Sequence, residues 1–153
     1  MRKPRTRLAI DPGTKCGWAI CVKGVYTAET WDLSGRKGDG AGMRYIRLQK
    51  LLGRLLDEFE IYEVAYEEVR GHKGVLAAHV YGGIVAIITT WCEDFKIPYF
   101  GVPVGTIKKF ATGKGNANKD AMVEAARRTF EHVSVDDDNQ ADALWILRYQ
   151  ETQ

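Results

Sequence analysis

Acidic residues stand at three places where the surrounding sequence is apolar. Asp11 ends the run Leu8-Ala9-Ile10, Glu67 and Glu68 follow Val64-Ala65-Tyr66, and Asp142 interrupts Ala141 to Leu147. A carboxylate in such a place is costly to desolvate unless a cation or hydrogen bonds compensate it. Oxygen donors arriving from several segments suit Mg²⁺ or Mn²⁺, not zinc. Two such ions held roughly 4 Å apart can activate a water and stabilise the leaving oxygen of a phosphodiester. Each acid also has a plainer reading. Asp11-Pro12-Gly13 is a turn signal by itself, and Asp142 fits one exposed position of an amphipathic helix. Asp136-Asp137-Asp138 reads as a solvated helix-start cluster, where acids are favourable. Asp138 and Asn139 precede Asp142 by four and three residues, so either shares its helical face.

The elements that must carry these groups follow from periodicity and turn signals. Arg7 to Asp11 and Gly17 to Val22 predict a hairpin-like pair, and Val25 to Trp31 a third antiparallel strand. Ser34 to Gly42 is glycine-rich and predicts a loop. From Met43 to Phe59 a helical period runs through Leu48, Leu51, Leu52 and Leu55, with Arg44, Arg47, Lys50 and Arg54 on the other face. Val64-Ala65-Tyr66 predicts a short buried strand, whose alternation admits only one of Glu67 and Glu68 to a given face. Val75 to Phe95 predicts a second helix lined by Ala77, Ala78, Gly82, Gly83 and Ala86. Two adjacent glycines in a helix cost about 1 kcal/mol each relative to alanine and so need a reason, the natural one being close approach of another backbone, from the sheet or a partner subunit. Pro98 to Val104 predicts a strand, followed by a segment rich in lysine (Lys108, Lys109, Lys114, Lys119). A helix opens at Asn118 or Lys119, and another, Ala141 to Tyr149, follows Asp138. Antiparallel strands followed by alternating strands and helices predict an α/β domain with a mixed sheet.

A chain of 153 residues makes one domain. Its net charge of +2 does not announce a nucleic-acid binder, although Arg2, Lys3, Arg5 and Arg7 crowd the N-terminus. Cys16, Cys21 and Cys92 lack zinc-site spacing and read as small buried thiols in a reducing cytosol. No leading segment looks like a signal peptide, and the apolar stretch Ile84 to Trp91 is too short to span a bilayer. The expectation is a soluble intracellular protein.

Ile10-Asp11-Pro12-Gly13-Thr14, Ala65-Tyr66-Glu67-Glu68-Val69 and Ala141-Asp142-Ala143-Leu144 together resemble RuvC-type Holliday-junction resolvases of the ribonuclease H-like superfamily. Order and spacing agree from Leu8 to about Arg148. The resemblance implies a ribonuclease H-like mixed sheet, antiparallel over its first three strands and then parallel, flanked by helices in one domain over 1–153. It implies that Asp11, Glu67 and Asp142 are catalytic ligands of two Mg²⁺ ions, with Mn²⁺ able to substitute. Glu67 is chosen because it holds the third place of the Ala-x-Glu-x-Val pattern. In that family a fourth acid or histidine stands three residues before the last aspartate; that place is Asn139 here, a weaker and neutral ligand. Either Asp138 therefore substitutes as the fourth ligand, or Asn139 occupies that place and the second ion is held less tightly.

By the same resemblance Lys108 and Lys119 act at the scissile phosphate, where ammonium groups neutralise ground-state and transition-state charge. Gly113, Lys114 and Gly115 would let backbone approach a phosphate closely. Many family members carry an aromatic residue just after the Glu-x-Val segment; this chain has Arg70-Gly71-His72-Lys73, a basic turn. Arg70, Lys73, Lys109 and Lys114 are thus expected to contact DNA phosphates. Family members dimerise through the helix corresponding to residues 75–95, which suits a two-fold junction. The implied activity is metal-dependent, structure-selective cleavage of four-way junctions by paired symmetric nicks in a homodimer. A phage-type member working in the host cytoplasm, away from membranes, is expected. Two other readings stand beside it: a broader branched-DNA or flap nuclease, and a non-catalytic junction-binding protein in which Asn139 marks a lost site. An ATPase of the sugar-kinase or actin kind, whose first strands carry a similar Asp-x-Gly-Thr turn, needs two such domains and does not fit the length.

Overall fold

Alternation along the first strand, β1 (Arg5–Asp11), divides the molecule. Leu8 and Ile10 enter one core with helices α1 (Met43–Glu58) and α2 (Val75–Asp94). Ala9 enters the other, with α3 (Val104–Thr112), α4 (Lys119–Thr129) and α5 (Asp138–Glu151). The computed structural model describes residues 2–153. Its sheet is completed by β2 (Lys15–Val22), β3 (Val25–Asp32), β4 (Glu60–Glu68) and β5 (Tyr99–Pro103), in the order β3-β2-β1-β4-β5. β1, β2 and β3 pair antiparallel, whereas β4 joins β1 and β5 joins β4 in parallel. This is the mixed architecture expected from the order of strand and helix signals.

The most buried helix is α5, and its apolar run explains why. Ala141, Ala143, Leu144, Ile146 and Leu147 are fully buried against the sheet and α4. Its start is held from two sides. The Asp137 carboxylate accepts the Gln140 N–H at 2.8 Å as an N-cap and the Thr30 hydroxyl from β3 at 2.9 Å. The helix therefore begins at Asp138, three residues before the apolar run that marks it in the sequence.

Other boundaries also differ from expectation. β4 begins at Glu60, because its N–H bonds the Pro4 carbonyl and extends the ladder beyond the apolar triplet. The first half of the lysine-rich segment is helix α3, with Ile107 buried beneath it. Gly113, at φ 83°, closes that helix by bonding Lys109 O, a left-handed conformation that glycine adopts freely. The two glycines of α2 have different neighbours. A Cβ on Gly83 would overlap the Tyr45 ring of α1, while one on Gly82 would meet nothing. The polar face of α1 is not uniformly solvated either: Arg44 is half-buried, as is Arg47, which pairs with Asp39 at 2.7 Å.

The length of α2 corrects the reading based on Ile84 to Trp91. Its helical period carries the apolar stretch back to Val75, giving a helix of 20 residues whose most apolar 18-residue window has mean hydropathy 1.7, long and apolar enough to cross a membrane. Ile84, Ile88, Trp91 and Cys92 are buried on its inner side, and only 22% of its most apolar window is buried.

Candidate functional site

Strand register brings the first two acids together. Ile10 lies beside Tyr66, so the next residues along the parallel strands are Asp11 and Glu67. Both share the parity of Ala9 and Ala65 and face the α5 side. Glu68 takes the opposite parity, beside Gly101 of β5. Across the hairpin Asp11 is paired with Gly17. A Cβ on Gly17 would overlap the Asn139 carbonyl, so glycine there lets the first turn of α5 settle on the sheet. Asp142, one turn further on, then meets the other two. One carboxylate oxygen from each of Asp11, Glu67 and Asp142 lies within 4.8 Å of the others.

This proximity has an electrostatic cost that shows in their ionisation. The Asp11 carboxyl is held well above its ordinary range, first by burial, then by the charges of Glu67 and Asp142. Burial raises Glu67 as well, opposed by a hydrogen bond with Asp11 and by the charge of Lys108. Asp142 is pushed up to about 8 by burial and by the charges of Glu67 and Asp138, against Lys108 and Lys119. Protonation is one way to relieve such a cluster, and a hard divalent cation is the other. The donor set is all oxygen, which suits Mg²⁺-like chemistry.

Lys108 and Lys119 reach this centre from α3 and α4. Lys108 is half-buried and acts on both Glu67 and Asp142. Lys119 is exposed and lies 3.6 Å from the Asp138 carboxylate. Asp138 raises Asp11 and Asp142 through its charge, but it is not among the three that converge. Asn139 contributes its main-chain carbonyl to the contact with Gly17.

The outer basic residues are placed differently. Arg70 sits 4.0 Å from Glu68, and Lys73, Lys109 and Lys114 are exposed, with no ion pair among the described residues. Two of the three amides of Gly113-Lys114-Gly115 already have partners. The Gly113 N–H bonds Lys109 O and the Lys114 N–H bonds the Thr112 hydroxyl, so these amides close α3.

One residue at the site has no sequence signal that marks it. Tyr81 of α2 donates its hydroxyl to Glu67 O at 2.8 Å and accepts the Val69 N–H at 2.9 Å. It ties the end of β4 to α2 and so positions the strand end that presents Glu67. A tyrosine on a helix following that strand is the only hint, and register alone reveals the bond.

No protein-family model matches the chain. It is 28% identical over 120 residues to the crossover junction endodeoxyribonuclease RuvC of Nitratidesulfovibrio vulgaris, covering 76% of this chain and 72% of the relative. The same holds for the protein from the Hildenborough strain. Among solved structures, Thermus thermophilus RuvC in complex with a Holliday junction substrate superposes with a TM-score of 0.76 at 21% identity, over 92% of this chain and 90% of that one. The yeast mitochondrial Holliday junction resolvase Ydc2 superposes with a TM-score of 0.65 at 12% identity, over 97% of this chain and 79% of that one. The chain is RuvC-like in sequence and in fold.

Proposed function

We propose that this RuvC-like chain is a metal-dependent endonuclease that resolves four-way DNA junctions. The observation that supports this reading best is the convergence of Asp11, Glu67 and Asp142, from three separate elements, beside a half-buried lysine. These three carboxylates would hold Mg²⁺, or Mn²⁺ in its place, with Asp138 as the fourth acid in preference to the neutral Asn139. Bound there, a pair of such ions supplies an activated water and counter-charge at the leaving oxygen. Lys108, held near Glu67 and Asp142, neutralises charge on the scissile phosphate. Lys119 exchanges its contact with Asp138 for the same phosphate. Arg70, Lys73, Lys109 and Lys114 hold neighbouring backbone phosphates and fix register, not sequence.

The active unit in this reading is a homodimer formed through α2. Its outward side exposes Val75, Ala78, Gly82 and Ala86, and a two-fold enzyme fits paired nicks on a two-fold junction. The test is cleavage of a labelled synthetic four-way junction beside flap and fork substrates, in Mg²⁺, Mn²⁺ or chelator. Wild type should give symmetric nicks in the junction that vanish in chelator and in Asp11→Asn, Glu67→Gln and Asp142→Asn. Nicks that survive chelation, or persist in all three variants, contradict it; preference for flaps or forks would identify the broader nuclease.

A further inference from the structure

The turns that leave Asp11 and Glu67 do more than reverse the chain. Pro12, Gly13 and Thr14 form one wall of a groove of about 490 Å³, and His72, Leu76 and Val80 lie along it. Arg44, from the first turn of α1, reaches into the same groove. Among the described residues three arginines are half-buried: Arg7, Arg44 and Arg47. Arg7 pairs with Glu63 and Arg47 with Asp39, whereas Arg44 has no ion pair and no hydrogen bond among the described residues. Among the described residues its Nη1 is fully buried without a partner, as is that of Arg47, but Arg47 still holds Asp39 through Nη2 and Arg44 holds no acid. The Nε2 atom of His72, in the same groove, is likewise buried and unpartnered.

A guanidinium does not shed its charge, so leaving one half-buried and unpaired is a standing cost unless an anion arrives. The groove begins at the residue after a proposed catalytic carboxylate, and its opposite side is apolar. Leu76 is 74% exposed there, an unusual place for a large aliphatic side chain without something to cover it. An anion with an apolar body beside it is the chemistry of a nucleotide within a strand.

We propose that this groove is a nucleotide subsite for the cleaved DNA strand. Arg44 takes the phosphodiester next to the scissile one, the sugar and base lie along Leu76 and Val80, and His72 offers a ring nitrogen. The inference rests on the nuclease reading above and adds to it a phosphate-binding residue on α1.

The test measures two properties of Arg44→Met and Arg44→Lys: thermal unfolding without DNA, and affinity for a synthetic four-way junction across a salt series. Ca²⁺ replaces Mg²⁺, with gels verifying that the strands stay intact. Arg44→Met should raise the melting temperature, since it removes an unpaired buried charge. It should weaken junction binding about 10-fold and lower the log–log salt slope by about one. Arg44→Lys should keep the slope. A lower melting temperature in Arg44→Met would assign the residue to the fold and overturn the inference. So would junction affinity and salt slope equal to wild type, which would leave the nuclease reading intact. A wild-type chain that binds no junction at any salt would overturn both.

Discussion

Strands β1 and β4 carry two charged pairs on one face of the sheet, and the two are built on opposite terms. At one end Arg7 lies opposite Glu63 and pairs with it at 3.3 Å. Four residues along each strand, Asp11 lies beside Glu67, like charge against like. Helix α5 crosses both places. It brings the Gln150 amide to Glu63 at 3.1 Å, completing a compensated ion pair. At its other end it brings Asp142, a third carboxylate, to the two already there. The same backbone therefore supports a closed charge network and an open one. An open network of buried like charges weakens the fold, so it persists where a ligand or a reaction uses it.

This contrast fixes what each substitution should do. The largest effect is expected at the open end. Asp11→Asn, Glu67→Gln or Asp142→Asn should each lower junction cleavage by about 10³-fold or more, on the scale of losing a transition-state electrostatic contact. Each should also raise the melting temperature of the metal-free protein. Loss of cleavage with a lower metal-free melting temperature would make the cluster structural and erase the contrast.

Next in size is Gly17→Ala, which puts a methyl group where the Asn139 carbonyl lies. It should destabilise by about 2–3 kcal/mol, in the range of overpacked sites, and reduce cleavage by moving Asp142 off the cluster. Denaturant unfolding together with a cleavage assay checks both. Unchanged stability would mean that α5 is not held by that contact.

Arg7→Met attacks the closed end. It leaves Glu63 half-buried without its cation and should cost about 1–3 kcal/mol. Cleavage per folded molecule should stay as in wild type. A cleavage defect larger than the unfolded fraction explains would show that the two ends are coupled through α5.

The smallest effect is expected for Tyr81→Phe, which removes two hydrogen bonds at the end of β4 while keeping the ring. It should cost about 1 kcal/mol of stability and lower the cleavage rate several-fold without weakening junction binding. A weakened junction affinity with an unchanged rate would move Tyr81 from positioning to binding.

The open end of this contrast is legible in the sequence. An aspartate closing an apolar strand and another inside an apolar helix are anomalies of composition, and such anomalies mark sites. The choice of Glu67 over Glu68 depended on the resemblance, and the structure gives the physical reason, the parity shared with Ala65. The closed end was invisible, because Arg7 and Glu63 lie 56 residues apart and only parallel register makes them neighbours. The same is true of Tyr81, whose bond to the Glu67 carbonyl has no local signal. Helix α3 does not stand out within its lysine-rich segment because it is nine residues long and buries chiefly Ile107, too little periodicity to mark it. The glycine pair in α2 split between two reasons, Tyr45 against Gly83 and open surface at Gly82, and spacing alone could not divide them.

The central claim is that the Asp11, Glu67 and Asp142 cluster is an uncompensated charge held for a divalent cation. Thermal unfolding of wild type and Asp11→Asn, at pH 5.5 and pH 8, in chelator and in Mg²⁺ or Mn²⁺, tests it most directly. In the folded metal-free protein Asp142 keeps its proton until about pH 8, whereas in the unfolded chain it is lost near the ordinary value of 3.8. Between those values the folded state binds more protons, so stability must fall as pH rises through that window. Wild type in chelator should therefore melt several degrees lower at pH 8 than at pH 5.5, metal should restore the loss at pH 8, and Asp11→Asn should show a weaker pH dependence and little response to metal. A wild-type melting temperature equal at the two pH values and indifferent to both metals would contradict the account.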